Sequence, residues 1–365
     1  MTTRSCSLCV MLSVLFAMTG SAISCGGASG SGGGAGGSSG TGTGGSAGAV
    51  SGGSGGGSSF QSGGAGGTTA TPSTARYWQA VASSADGRKL VAVASPDEYI
   101  YTSADSGATW TQRGTLRSWS SVASSADGTK LVAGTLPGFL YTSTDSGATW
   151  TQRGSSQDWK SLASSADGTK LVAVGSPGLA TGAIYTSQDS GVTWTQGGPS
   201  SQYWNGVAFS ADGTKLVAVG TGIYLSTDSG STWTQVGPKK ADAWVTEWSD
   251  VTSSADGSTL VALAYNAYAI YVSNDAGTTW TQTGSSENWE AVTSSGDGTK
   301  VVAVTKYIYT SSDSGATWAS HGWQDSWRTV ASSTDGTKLI VGTGLGSGGY
   351  LYTSSDSGVT WVKRF

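Results

Sequence analysis

Three arginines lie within two residues of a recurring tryptophan: Arg76 before Trp78, Arg117 before Trp119 and Arg328 after Trp327. Guanidinium groups gathered on one rim would hold a carboxylate or phosphate through paired, charge-assisted hydrogen bonds. The glutamates are Glu98, Glu247, Glu287 and Glu290. Glycoside hydrolysis needs two carboxyl groups about 5–10 Å apart across a cleft. Asp250 with Glu290, or Glu247 with Glu287, are the pairs whose places in the chain would allow that. The sole histidine, His321, would have to be the base of any Ser-His-Asp arrangement, and no nucleophile-elbow motif stands near it. Two tryptophans, Trp244 and Trp323, fall outside the recurring pattern. Trp244 shares a long loop with Lys239, Lys240 and Glu247, Trp323 shares one with His321 and Asp325, and Tyr265 and Tyr268 share a third. Aromatic faces beside amides and carboxylates suit sugar stacking, and exposed Trp and Tyr equally suit anchoring a protein partner.

Composition removes several classes. Charged residues make up 12% of the chain and the net charge is −4, with no basic run, so the clustered Lys/Arg footprint of a nucleic-acid binder is absent. All three cysteines precede residue 26 and there is one histidine, which excludes a multi-Cys or multi-His zinc site and a disulfide-stapled fold in the mature protein. Neither a metal nor a cofactor is expected.

The first 24 residues have the layout of a secretory signal peptide: Arg4, an apolar run from residue 8 to 18, then small residues. That run is too short to span a bilayer, which takes about 20 residues. The segment Ala22-Ile23-Ser24-Cys25 resembles a bacterial lipobox, with Ala where Leu is usual, so Cys25 is the expected lipidation site. Simple secretion with a free Cys25 thiol is the alternative. Residues 25–75 read as a tether. Of the 45 residues from 26 to 70, 22 are Gly and 10 are Ser, too few apolar groups to offset chain entropy.

Residues 76–365 hold the elements that must position these side chains, and they are seven copies of one unit. The motif S-x-D-x-G-x-T-W recurs with its aspartates at Asp105, Asp145, Asp189, Asp228, Asp275, Asp313 and Asp356. Ahead of each copy stands W-x-x-[VL]-[AT]-x-S-x-D-G, with Trp78, Trp119, Trp159, Trp204, Trp248, Trp289 and Trp327. Each unit reads as four short strands joined by an Asp-Gly hairpin and a second Asp-Gly-containing turn. In the second unit the strands are expected at Ser120–Ser124, Lys130–Ala133, Phe139–Thr142 and Thr149–Arg153. Four strands at a period of about 40–45 residues match a propeller blade. The reading is an all-β, seven-bladed β-propeller whose ring closes by packing of blade seven on blade one, or by a strand added from residues 60–75.

The S-x-D-x-G-x-T-W motif resembles the Asp-box, or BNR repeat, of the sialidase-like propellers, also found in xyloglucanases, sortilin-type receptors and photosystem-assembly propellers. The resemblance covers the whole repeat region. It implies that each Asp accepts hydrogen bonds from its own turn, that each Gly is left-handed and that each Trp packs between blades. The sialidase-type Arg-Ile-Pro signature is missing. The two tight turns share one rim and barely vary, so the variable loops of the opposite rim are the expected binding face. The expectation is a monomeric, non-catalytic, extracytoplasmic binder of a glycan or a protein. It contacts no nucleic acid and meets the membrane only through Cys25. The other readings are a glycoside hydrolase of sialidase type and an assembly scaffold similar to the photosystem-assembly propellers.

Overall fold

The computed structural model describes residues 76–365 apart from 179, 239–246, 266, 322 and 345–347, and the described residues form 27 β-strands and no helix. In the first blade, Tyr77–Ser83, Leu90–Ser95, Glu98–Ser103 and Thr111–Arg117 pair antiparallel in chain order. The second strand, LVAVAS, is buried along its whole length, as a run of small β-branched and apolar residues between two neighbouring sheets must be. The fourth strand is mostly polar and lies outermost, its side chains partly or fully exposed.

The same meander repeats around the chain, giving five four-stranded sheets and one of seven strands. The seven-stranded sheet is two blades joined by one long strand, Thr151–Ser164, which is the outer strand of blade two and runs on as the inner strand of blade three. The strand boundary expected at Arg153 therefore does not exist. The other three strands of that unit agree with expectation within two residues, at Trp119–Ser124, Leu131–Thr135 and Gly138–Ser143.

Each first strand packs against the first strands of both neighbours, and Trp327–Ser332 of the last blade packs against Tyr77–Ser83 of the first. The result is a closed, seven-bladed β-propeller. Closure involves no exchanged strand among the described residues, since every blade is built from consecutive strands. It is made instead by packing and by a belt of backbone hydrogen bonds. Ala85 N donates to Ala126 O, and the chain of donors continues through Ala166, Ala211, Ala255, Gly296 and Thr334, whose N returns to Ala85 O, each bond 2.7–2.8 Å long. Residues 60–75, the alternative closing strand, lie outside the described residues.

Candidate functional site

The tight turns occupy one rim, and their polar groups are consumed locally. In the first blade Ser103 Oγ donates to Asp105 Oδ1 (2.8 Å) and accepts from Gly107 N (2.9 Å). The two Asp105 oxygens accept from Thr109 N (2.8 Å) and Thr109 Oγ1 (2.6 Å). The same set recurs at Asp145, Asp189, Asp228, Asp275, Asp313 and Asp356. Hydrogen bonds from Thr193 hold the Asp189 carboxyl down to about 2. The residue after Asp and the Gly beyond it are both left-handed, as at Ser106 (φ 59°) and Gly107 (φ 83°). These aspartates are turn caps.

The Asp-Gly hairpins beside them are stapled across blades. Ser125 Oγ donates to Asp127 Oδ1 (2.6 Å), and Lys130 Nζ reaches over to Asp167 O of the next blade (2.9 Å). Lys170, Lys215, Lys300 and Lys338 make the same reach, to Asp212, Asp256, Asp335 and Asp86. Lys89 meets Ser146 Oγ of blade two instead.

The opposite, loop rim is built on a repeated aromatic frame. Every inner-strand Trp is buried and meets the Tyr of its blade's third strand edge-to-face. From Trp78–Tyr101 through Trp327–Tyr352, the seven centroid separations are 5.0–5.5 Å. These tryptophans are packing, and stacking platforms for seven equal sugar sites they are not. The sequence reading missed the tyrosines, although each stands four residues ahead of its turn aspartate.

In five blades the residue two before the Trp lies over this frame, as an arginine in two, a glutamine in one and a carboxylate in two. In blade one, Arg76 Nε donates to Tyr101 Oη (3.0 Å) and pairs with Glu98 Oε2 (3.3 Å), and Tyr101 Oη donates to Glu98 Oε2 (3.1 Å). Burial pushes the Tyr101 phenol up to about 12. In blade two, the Arg117 guanidinium lies 4.6 Å from the Tyr141 ring centroid. In blade three, Gln157 Nε2 donates to Tyr185 Oη (3.3 Å). In blade six, Glu287 accepts from Tyr309 Oη (3.5 Å) and pairs with Lys306 (3.6 Å). In blade seven the position is Asp325, whose charge adds to burial in raising the Tyr352 phenol.

A register shift follows the inner-strand Trp in six blades and re-aims the next residue. There Arg328 meets Glu290 across the blade six/seven seam (3.3 Å) and lies 5.5 Å from the Tyr77 ring of blade one. Arg76, Arg117 and Arg328 thus each have a separate setting. Three members of the expected carboxylate pairs have partners of their own: Asp250 accepts from Val292 N (3.0 Å), Glu287 pairs with Lys306 and Glu290 with Arg328.

His321 lies on the outer edge of blade six, where Nε2 meets Thr310 Oγ1 (2.7 Å). Arg113, Arg153 and Arg364 hold the corresponding bond to Thr102, Thr142 and Thr353 in their blades. Trp323 covers the blade seven frame, 4.9 Å from Trp327 and 4.5 Å from Tyr352, yet remains 38% exposed. Tyr265 and Tyr268 are exposed, at 43% and 48%, and Tyr265 N is tied to Glu247 O (3.0 Å). Two exposed residues at the same rim were not singled out from sequence, Leu116 and Tyr203. Lys239, Lys240, Trp244 and Cys25 lie outside the described residues. No group of three or more His, Cys, Asp or Glu side chains among the described residues could hold a metal ion.

No family model matches the chain, and no curated protein matches its sequence. Solved structures do resemble it. YCF48 bound to D1 peptide aligns with a TM-score of 0.58 and 15% identity over 78% of this chain and 94% of that one. YCF48 from Cyanidioschyzon merolae aligns at 0.59 and 15% identity over 81% and 100%. The Cps50 (Swd1) β-propeller domain of Myceliophteria thermophila aligns at 0.59 and 10% identity over 80% and 99%. At these identities the likeness establishes the β-propeller fold, and the chain's function has to be argued from its own rim.

Proposed function

We propose that this chain is a non-catalytic binding propeller that recognises a segment of another protein through its loop rim. The observation that carries the reading is the contrast between the two rims. The turn rim repeats one self-bonded design, whereas the loop rim carries the blade-specific charges and the exposed Leu116, Tyr203, Tyr265, Tyr268 and Trp323. Aromatic residues at loop positions on a rigid scaffold are the usual anchors of a protein interface. That a structural neighbour is YCF48 bound to D1 peptide supports a peptide as the ligand class, and an assembly role is one use of such binding.

A glycan is the second reading, favoured by the exposed rings of Tyr203, Tyr265 and Tyr268. Against a sialidase-type activity stands the cluster in which Tyr, Glu and Arg are hydrogen-bonded to one another, Tyr101–Glu98–Arg76. Tyr101 has 0% of its surface accessible and its hydroxyl is held between Arg76 and Glu98, so no substrate carbon can reach it. The likeness of the second turn to the Asp-box adds nothing to catalysis, because its carboxylates serve the turn. We place the protein outside the cytoplasm, secreted or held by lipid on Cys25, with the Gly/Ser-rich stretch as spacer.

The test is a pair of arrays, one of peptides from extracytoplasmic proteins and one of glycans, probed with the full chain and its Tyr268→Ala and Trp323→Ala variants. Selective peptide binding that weakens about tenfold in either variant is expected, the usual cost of removing an aromatic anchor. Selective glycan binding alone would establish the second reading, and turnover of a sialoside would establish an enzyme.

A further inference from the structure

Blades one and two carry the same frame and differ in one partner. In both, an arginine two residues before the inner-strand Trp lies over the third-strand Tyr, with Arg76 4.9 Å from the Tyr101 centroid and Arg117 4.6 Å from that of Tyr141. In blade one the third strand opens with Glu98, whose carboxylate takes the Arg76 Nε proton donor at 3.3 Å. In blade two the corresponding residue is Gly138, which brings no side chain. The described residues form three ion pairs, and Arg117 is in none of them. Its buried Nε has no acceptor among the described residues, whereas Arg113, Arg153 and Arg364 each direct Nε to a threonine hydroxyl.

A buried Nε–H is costly to hold against an aromatic wall, because it loses water without gaining an acceptor, while the rest of the half-buried guanidinium stays open to a partner. Stacking on Tyr141 fixes its plane, so the fork is preorganised for a planar bidentate partner. The ligand chemistry is shown within the chain itself, where blade one fills the same frame with a carboxylate. The Arg76 site is closed by its own glutamate. The Arg117 site is the open copy, beside the exposed Leu116.

We infer that Arg117, held by Tyr141 at the loop rim of blade two, is the anchor for a carboxylate of the bound protein segment, from an Asp or Glu side chain or a chain terminus. This deepens the proposed function and rests on it for the identity of the ligand as protein. An acidic residue next to an apolar one, the latter against Leu116, is the motif such a rim would select.

The test uses the full chain labelled with 15N and three probes: N-acetylglutamate, N-acetylglutamine and glucuronate. N-acetylglutamate is expected to shift the Arg117 Nε–H resonance in a saturable way, with N-acetylglutamine silent. Arg117→Gln should remove the response, and Arg117→Lys, which keeps the charge and loses the fork, should weaken it. Glu98→Gly makes blade one read like blade two and should add Arg76 to the responding groups. On the peptide array, Arg117→Gln or replacement of the peptide's Asp and Glu by their amides should weaken binding about tenfold. Silence of Arg117 towards N-acetylglutamate, an equal response to N-acetylglutamine, or a silent Arg76 in Glu98→Gly overturns the inference. A response to glucuronate alone overturns the protein source in favour of a sugar acid. Array binding that ignores Arg117→Gln overturns the anchor and leaves the proposed function standing. An intact N-acetylglutamate response with an array empty of peptide hits upholds the carboxylate site and removes the proposed function.

Discussion

Asp250 is a carboxylate at a position where the other six blades carry Ala80, Ser121, Ser161, Gly206, Ala291 and Thr329. Its side chain bridges blades five and six by accepting from Val292 N (3.0 Å), and burial pushes its carboxyl up to about 6. A carboxyl raised above its unfolded value of 3.8 adds stability below that value and loses it as pH rises through about 6. The cost of the ionised form at neutral pH is at most about 3 kcal/mol. Asn keeps an oxygen for Val292 N and carries no charge. Asp250→Asn should therefore raise the melting temperature at pH 8 and leave it nearly unchanged at pH 4. Thermal melts across that range check it, and an equal shift at both values would rule the account out. The turn aspartates act in the opposite sense. Asp127, Asp167 and Asp212 are held to about 2 chiefly by serine hydroxyls, so their contribution is present above 3.8 and disappears as pH falls through about 2.

At the scale of the element, one seam between Asp-Gly hairpins has no lysine to reach across it. Blade five carries Thr259 where the other blades carry lysine, and Asp297 of blade six accordingly lacks the lysine that helps lower Asp127, Asp167 or Asp335. Thr259→Lys should supply a donor to Asp297 O and stabilise the protein by about 0.5–1 kcal/mol in urea unfolding. A neutral result in both low and high salt would show that the reach alone is worth nothing. The four-strand unit was legible in sequence because its two turns are written in residue types that only those turns require. The long strand Thr151–Ser164 was not legible. Its middle, Gly-Ser-Ser-Gln-Asp, has little strand propensity of its own. It is extended because Gln157 pairs with Gly138 and Asp158 with Ser176, contacts that exist only once blades two and three stand side by side. The rim was legible in outline. Tyr265, Tyr268 and Trp323 are exposed where loops were expected, but His321 has the place that arginine holds in three other blades, a register match visible only after the strands are aligned. The frame of seven tyrosines was open to the same alignment and went unread because tyrosine is ordinary in a strand.

For the molecule as a whole, closure concentrates at one seam. Phe365, at the end of blade seven, packs edge-on to Trp78 (5.1 Å), Tyr101 (5.4 Å) and Trp110 (5.5 Å) of blade one. Trp78 Nε1 donates back to Gly349 O (2.9 Å), and Lys338 Nζ to Asp86 O (2.7 Å). Phe365→Ala should cost about 1–3 kcal/mol, less than a fully buried phenylalanine because Phe365 is only half-buried. The loss should be local before it is global. Hydrogen exchange of Thr334 N, which donates to Ala85 O across the seam, should accelerate more than that of Ala211 N between blades four and five. Equal acceleration at both amides would mean that the ring opens as one unit.

The belt that joins Ala85 to Thr334 and back runs in a single rotational sense, each amide donating to the blade that follows. Peptide dipoles aligned along a helix add to a macrodipole with a charged end. Seven dipoles set head to tail around a circle cancel instead. The belt itself therefore has no charged end to offer an approaching ion, unlike a helix terminus. Charge on the turn rim can be redrawn one blade at a time without touching the hydrogen bonds that hold the circle shut.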